Sequence, residues 1–294
     1  MPDVLVVAAN LGLAHVKPVV LGDAGNLIIH LSPFPIVARV AKLFPGDDSL
    51  FWRDVWDREI HVVRHLMELT IPVVPYTRIL PPGPYPVSDT WMTLWEYTEQ
   101  VPMPPLSAQQ GVALVTDLAH ALSVYSEPLP SLGAWRNVAD AADYLLLHHR
   151  GDDRVSRLVA VYERVNERMP SEVLYPAHGD AHPSNLLATE TGWRWIDFED
   201  VSLMPKFWDL ASFVGNTALF HGLKHPIVQS MLQQQEVFED RPSFQFALTS
   251  RVTMSTMSNL ALALNGHGDL VFAQAQLKLI HDFLWAIDHG FLWC

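Results

Sequence analysis

The stretch from Tyr175 to Leu210, YPAHGDAHPSNLLATETGWRWIDFEDVSLMPKFWDL, gathers the residue types that do chemistry. His178, Asp180, His182, Asn185, Asp197, Glu199, Asp200 and Asp209 fall within it, between short apolar pieces that read as strands. Gly179 and Pro183 oppose a helix there, so Asp180 and Asn185 share one irregular loop. Trp193–Ile196 reads as a strand that delivers Asp197 at its end, where it can face that loop. A loop carboxylate, a loop amide and a strand-end carboxylate are hard oxygen donors of the kind that suit Mg²⁺ or Mn²⁺. Two plainer arrangements use the same residues. His178, Asp180 and His182 read H-x-D-x-H, three potential zinc ligands, but no fourth follows and Asn185 is left without a task. The aspartates could also cap local turns, the commonest use of a loop aspartate. The joint spacing of Asp180, Asn185, Asp197 and the downstream Trp-Asp-Leu asks for more than capping.

The elements that must position these residues fall into two styles. Val16–Leu21, Asn26–Leu31 and Ile36–Val40 are short apolar or β-branched runs separated by Gly-Asp-Ala-Gly and Ser-Pro-Phe-Pro turns. A helix follows from Asp48, as N-cap, to about Leu69, where Thr70-Ile71-Pro72 stops it. Val73–Leu80 reads as a fourth strand, Pro81–Pro84 as a turn and Trp91–Trp95 as a fifth strand. Val101–Pro105, rich in proline, is a connector. Beyond it the period becomes helical. Ser107 and Gln110 form a capping box ahead of Val112, Val115, Leu118, Ala119 and Leu122. Further helices are expected near 137–149, 152–168, 206–222, 243–264 and 269–290, interrupted by short strands at Leu186-Leu187 and Trp193–Ile196. The layout is α+β, with a strand-rich lobe over 1–100 and a mostly helical lobe over 101–294.

Composition narrows the partners. The 294 residues carry 32 acidic and 19 basic side chains, a net charge of −13 that repels a phosphate backbone, so nucleic-acid binding is not expected. The same charge fits either a solvated acidic surface or a cleft that collects a cationic substrate. The one cysteine, Cys294, permits no internal disulfide, and a reducing cytoplasm is the expected compartment. Val4–Ala9 is too short to span a membrane and follows Asp3 rather than a basic segment, so neither an anchor nor a secretory signal is expected. Leu277–Trp293 is apolar but carries Lys278, His281, Asp282, Asp288 and His289, and reads as a packed helix.

Leu21-Gly22-Asp23-Ala24-Gly25-Asn26 lies between two strands. Its glycines allow backbone N–H groups to approach phosphate oxygens. A strand rather than a helix follows, so it is neither a dinucleotide fingerprint nor a Walker loop, and a simple hairpin turn would look the same.

His178-Gly179-Asp180, then Asn185, then Asp197-Phe198 resembles the catalytic order H-x-D, N, D-F of protein kinases. HGDAHPSN followed by IDFED and WDLA is more similar to the aminoglycoside phosphotransferase and choline kinase branch of that fold, whose members phosphorylate small molecules. The resemblance runs from about Val19 to Gly215. It implies a bilobal protein-kinase-like fold that uses ATP (or GTP) and Mg²⁺ to phosphorylate a hydroxyl of a small molecule. By that resemblance Asp180 is the catalytic carboxylate, Asn185 and Asp197 hold Mg²⁺, and Asp209 and His178 brace the loop. It makes Ala24, Gly25 and Asn26 the phosphate loop and Glu96-Tyr97 the hinge beside adenine. It places a basic residue on the third strand against a helix glutamate. Arg39 is preferred to Lys42, and Glu59 to Glu68, for that pair. Arginine departs from the lysine of the type enzymes, but it is bidentate and always charged. That departure leaves an inactive nucleotide-binding pseudokinase as the alternative function, with nucleotidyl transfer on the same fold as a third. The acceptor pocket is expected among helices beyond Pro242 and near 137–169. The acceptor itself is not identified by any residue pattern.

Overall fold

The computed structural model describes residues 1–23, 25–43 and 48–293; two residues singled out above, Ala24 and Cys294, lie outside the described residues. The chain divides into two units, Met1–Pro104 with Ser184–Glu199, and Pro105–Pro183 with Asp200–Cys294.

The first unit opens with helix α1 (Pro2–Asn10), then strands β1 (Lys17–Asp23), β2 (Asn26–Ser32) and β3 (Ile36–Ala41). Helix α2 (Ser49–Glu68) and strands β4 (Tyr85–Val87) and β5 (Thr90–Glu96) follow. The strands form one antiparallel sheet in the order β1-β2-β3-β5-β4. Alternation decides its faces. Ile36, Ala38 and Val40 join Ile29, Leu31, Met92 and Leu94 in a core that also buries Val4 and Ala8. Those last two are one helical turn apart, which seats α1 on this face; the short Val4–Ala9 run therefore serves as a packed helix. Val37 and Arg39 point to the opposite face by the same alternation. Helix α2 starts where Asp48 accepts from the N–H of Leu50 at 2.9 Å. It buries Val55, Trp56, Glu59, Ile60, Val63 and Leu66 along one stripe, with Glu59 the one carboxylate among them.

The fourth strand is not where the sequence reading expected it. Val73–Leu80 forms only isolated bridges, Val73 to Trp195 and Tyr76 to Trp95, and Tyr85–Val87 takes the edge beside β5. Pro72 and Pro75 carry no N–H for a ladder. The segment is held instead by single bonds: Glu96 N donates to Pro75 O at 2.9 Å and Thr77 N to Leu94 O at 3.1 Å.

The second unit begins with α3 (Ala108–Ser123), whose Ser107/Gln110 capping box forms as expected. It continues through α4 (Val138–His149), α5 (Asp153–Arg168) and β6 (Leu174–Ala177). Next comes a hairpin of β7 (Leu186–Thr189) and β8 (Gly192–Trp195), which belongs to the first unit. The division expected at residue 100 had no such return. The reason is a set of backbone bonds: Trp195 N donates to Pro72 O at 2.8 Å, Val74 N to Trp195 O at 2.9 Å, and Val101 N to Ala188 O at 3.0 Å. The chain then forms β9 (Ser202–Pro205), antiparallel to β6, and helices α6 (Trp208–His221), α7 (Pro226–Leu232), α8 (Gln235–Glu239), α9 (Arg241–Leu264) and α10 (Leu270–Asp288). Helix α9 packs against α4, α5, α6 and α10. Because it is surrounded, it buries polar side chains as well as apolar ones, among them Ser250, Arg251, Thr253 and Thr256. Among the described residues no helix is long and apolar enough to cross a membrane.

Candidate active site

The first unit encloses a cavity of about 560 Å³, a size common for small-ligand sites. One side is apolar, from Val37, Val74, Trp95, Leu187 and Ile196; the other is polar, from Asn26, Arg39, Glu59, Asp197 and Glu199. Arg39 organises the polar side. Alternation along β3 points it into the cavity, and Trp56 lies under the guanidinium, 4.6 Å from ring centroid to Cζ. Its Nη1 donates to Glu59 Oε1 at 2.5 Å. Its Nη2 donates to Asp197 Oδ1 and to Glu199 Oε2, the latter at 2.7 Å. Burial opposes the charge on Arg39, but Asp197, Glu59 and Glu199 more than offset it and hold the guanidinium above its ordinary pKa. Glu59 goes the other way. Burial pushes its carboxyl up to about 7; Arg39 and the N–H of Phe198 pull it down, while Asp197 and Glu199 add to the rise.

Of the two basic candidates, Lys42 falls just after β3, lies toward solvent and pairs with Asp23 at 2.8 Å. Glu68 is exposed at the end of α2. The structure therefore joins Arg39 to Glu59 and leaves the other two outside. The hairpin register explains how Asn185 and Asp197 become neighbours in this unit. Leu186 pairs with Trp195, and Ile196 N donates to Asn185 O at 3.0 Å, so both residues sit at the open end of the hairpin. Asn185 closes a short 3₁₀ turn, Pro183–Asn185, and is 7% exposed. Asp197 has φ +70°, a left-handed conformation that aspartate tolerates better than most residues.

Gly25 and Asn26 line the cavity, and a Cβ placed on Gly25 would meet open space. Asn26 Nδ2 donates to Glu199 Oε2 at 2.8 Å. Two buried oxygens here, Asn26 Oδ1 and Glu59 Oε2, have no hydrogen-bond partner among the described residues, the condition a bound ligand or water relieves. Glu96 and Tyr97 also line the cavity, but their N–H groups are spent on Pro75 O at 2.9 Å and Pro35 O at 3.0 Å. A donor to a base would come from the next residues, of which Thr98 and Gln100 reach the cavity.

In the second unit the loop after β6 carries Asp180. Asp209, near the start of α6, is buried and accepts from His178 N at 2.7 Å and Gly179 N at 3.1 Å. Burial pushes the Asp209 carboxyl up, against the pull of His178 and these two N–H groups. Trp208 Nε1 donates to Gly179 O at 2.8 Å. Gly179 itself has φ +89°, and a Cβ would stand 2.3 Å from Asp200 O, so only glycine fits. His178 is fully buried and its Nδ1 accepts from Asp180 N at 3.3 Å. Both oxygens of Asp180 face basic side chains: Oδ1 accepts from Arg251 Nη2, and Oδ2 lies 3.2 Å from His182 Nε2. Burial would raise the Asp180 pKa, but Arg251, His182 and His178 outweigh it and hold the carboxyl well below the usual range. Among the described residues no group of three or more His, Cys, Asp or Glu side chains could hold a metal, which leaves H-x-D-x-H without support as a zinc site.

Two residues of these clusters carry no assignment from the sequence. Glu199 stands two positions after Asp197, inside the quoted IDFED, where adjacency was the available signal. Arg251 lies 71 positions from Asp180, among the buried residues of α9. Its signal was an arginine flanked by apolar and small residues in the interior of α9.

No curated protein matches the chain by sequence. Among solved structures it is similar to choline kinase LicA from Streptococcus pneumoniae, with a TM-score of 0.67 and 13% identity over 97% of this chain and 100% of that one. It is similar to amicoumacin kinase hAmiN, solved with AMP-PNP, Ca²⁺ and Ami, at a TM-score of 0.63 and 14% identity over 98% of this chain and 94% of that one. It is also similar to an aminoglycoside 2'-phosphotransferase IIIa in its GDP complex, at a TM-score of 0.63 and 13% identity over 98% of each chain. At such identities these likenesses establish the kinase-like fold. The sequence model of the phosphotransferase enzyme family matches residues 52–246, about two thirds of the chain, from α2 through the Asp180 loop, the β7–β8 hairpin and Asp197 into α9. The chain belongs to the phosphotransferase enzyme family.

Proposed function

We propose that this small-molecule kinase moves the γ-phosphoryl group of ATP to a hydroxyl of its acceptor with the help of Mg²⁺. The observation that carries the proposal is the cavity of the first unit, with an apolar wall for a base at one side and Arg39 among three carboxylates at the other. The donor set suits the metal. Asp197 and Asn185 offer a carboxylate and an amide oxygen, and Mg²⁺ is commonly held by one or two such groups plus phosphate oxygens and water. One guanidinium against three carboxylates also leaves the cavity short of the positive charge that a triphosphate needs. Mg²⁺ bound there supplies that charge and draws electron density from the phosphates.

The residues divide the rest of the work. Arg39, held by Glu59, would donate to phosphate oxygens, and backbone N–H groups at Gly25 and Asn26 would receive others. The carbonyl of Glu96 would accept from the exocyclic amine of adenine, and the Thr98 N–H would donate to the ring. Asp180 would orient the acceptor hydroxyl and take its proton as the oxygen–phosphorus bond forms. Arg39 paired with Glu59 supports a working site despite the missing lysine. The cytoplasm, where ATP is available and thiols stay reduced, is the compartment this reading favours.

The test is acceptor-dependent ADP release across a panel of hydroxyl metabolites, with product mass read alongside. Wild type is expected to release ADP only with Mg²⁺ and to add one phosphoryl group to an acceptor. Asp180→Ala should lower turnover about 10²–10⁴-fold. Unchanged turnover in that variant would reject the role of Asp180, and a product heavier by AMP would replace phosphoryl with nucleotidyl transfer.

A further inference from the structure

Arg251 is a buried cation attached to the carboxylate proposed to meet the acceptor. It lies in α9 with 9% of its surface exposed. Its Nε donates to Ser212 Oγ at 2.9 Å, which fixes the guanidinium, and its Nη2 donates to Asp180 Oδ1. His182 faces the second oxygen of the same carboxylate at 3.2 Å. Proton acceptance by Asp180 requires none of this. A guanidinium there lowers the basicity of the carboxylate, and desolvating it in α9 costs free energy. A general base would be better served by a neutral donor.

The geometry points to an acceptor that carries a carboxylate close to the hydroxyl that is phosphorylated, with Arg251 as the residue that recognises it. The inference rests on Asp180 being the carboxylate that meets the acceptor hydroxyl. A side chain hydrogen-bonded to that carboxylate stands within reach of the atoms next to the hydroxyl. A guanidinium carries five N–H donors, and among the described residues Ser212 and Asp180 take two of them. The remaining donors match a second carboxylate, the ligand a guanidinium fork suits best.

Charge argues the same way. Although the whole chain is acidic, at −13, the charge of Asp180 is already met by Arg251. An ammonium on the acceptor would gain no net attraction here and would still lose its hydration. A carboxylate on the acceptor would instead share the guanidinium and weaken the hold of Arg251 on Asp180. The base would then strengthen only when the right acceptor is present.

The experiment compares 4-hydroxybutyrate with 4-hydroxybutyramide and 4-aminobutan-1-ol on the full chain. Calorimetric binding without nucleotide and acceptor-dependent ADP release with ATP and Mg²⁺ are read in parallel. The carboxylate is expected to bind about 10–100-fold more tightly than the amide, the worth of a charged hydrogen bond. Arg251→Met should erase that difference, and Ser212→Ala, which keeps the charge but frees the guanidinium, should reduce it. Equal binding of the three compounds to wild type, tighter binding of the amine, or a carboxylate preference that survives Arg251→Met would each overturn the inference. Preferential binding of the carboxylate without ADP release from any acceptor would keep the inference and count against phosphoryl transfer.

Discussion

Arg39 in the first unit and Asp180 in the second are mirror images in charge. One guanidinium faces three carboxylates, Glu59, Asp197 and Glu199; one carboxylate faces Arg251 and the imidazoles of His182 and His178. The first cluster is short of positive charge and keeps two buried oxygens without partners. The proposed Mg²⁺, bound with phosphates, would supply what it lacks. The second is already balanced, so its carboxylate stays ionised and fixed in place. Clustered charges therefore mean different things here, according to what each cluster still lacks.

The most severe way to break this contrast is to remove the lone guanidinium of the first cluster. Arg39→Met would leave three carboxylates with nothing between them, and breaking a buried pair costs about 3–5 kcal/mol. Urea unfolding should show that loss, and Arg39→Met combined with Glu59→Leu should recover much of it. A single variant as stable as wild type would mean that the cluster is solvated rather than buried.

A milder change tests the second cluster through its backbone. Gly179→Ala forces a Cβ to within 2.3 Å of Asp200 O at φ +89°. It should cost about 1–3 kcal/mol in stability, the range for such strain, and displace Asp180. An unaltered melting temperature with unaltered turnover would show that the loop adjusts freely.

The smallest effect is a pH dependence. Glu59 rises from an ordinary 4.5 to about 7, so the folded protein holds a proton that the unfolded chain releases. The stability this lends is full below about 4.5 and is lost as pH climbs through about 7. In protein free of metal and nucleotide, Glu59→Gln should flatten that decline. An equal slope in both proteins would place the titration elsewhere.

The contrast also separates what the sequence could reveal from what it could not. Asp180, Asn185 and Asp197 were legible because their spacing is local and rare. Arg39 was legible because a charged residue inside an apolar strand must face something, whereas Glu59 was reached only through the family resemblance, since a helix glutamate is ordinarily solvated. Arg251 was not, since no local period says which residue of a helix packed on several sides meets a loop 71 positions away. Val73–Leu80 misled because its β-branched and apolar residues outweighed the donors lost at Pro72 and Pro75. The β6–β9 pair, four residues per strand, is too short to leave a period. The N-terminal helix α1 went unread because six apolar residues in a row fit neither strand nor helix uniquely.

Nucleotide at the first cluster and acceptor at the second is the proposed division of labour, and nucleotide affinity at varied Mg²⁺ tests it most directly. Asp197→Ala should weaken ATP binding by more than the roughly 10–100-fold typical of a lost outer-shell partner and abolish its Mg²⁺ dependence. Asp180→Ala should bind ATP as wild type does at every Mg²⁺ concentration. Equal losses in the two variants, or none in Asp197→Ala, would contradict the account.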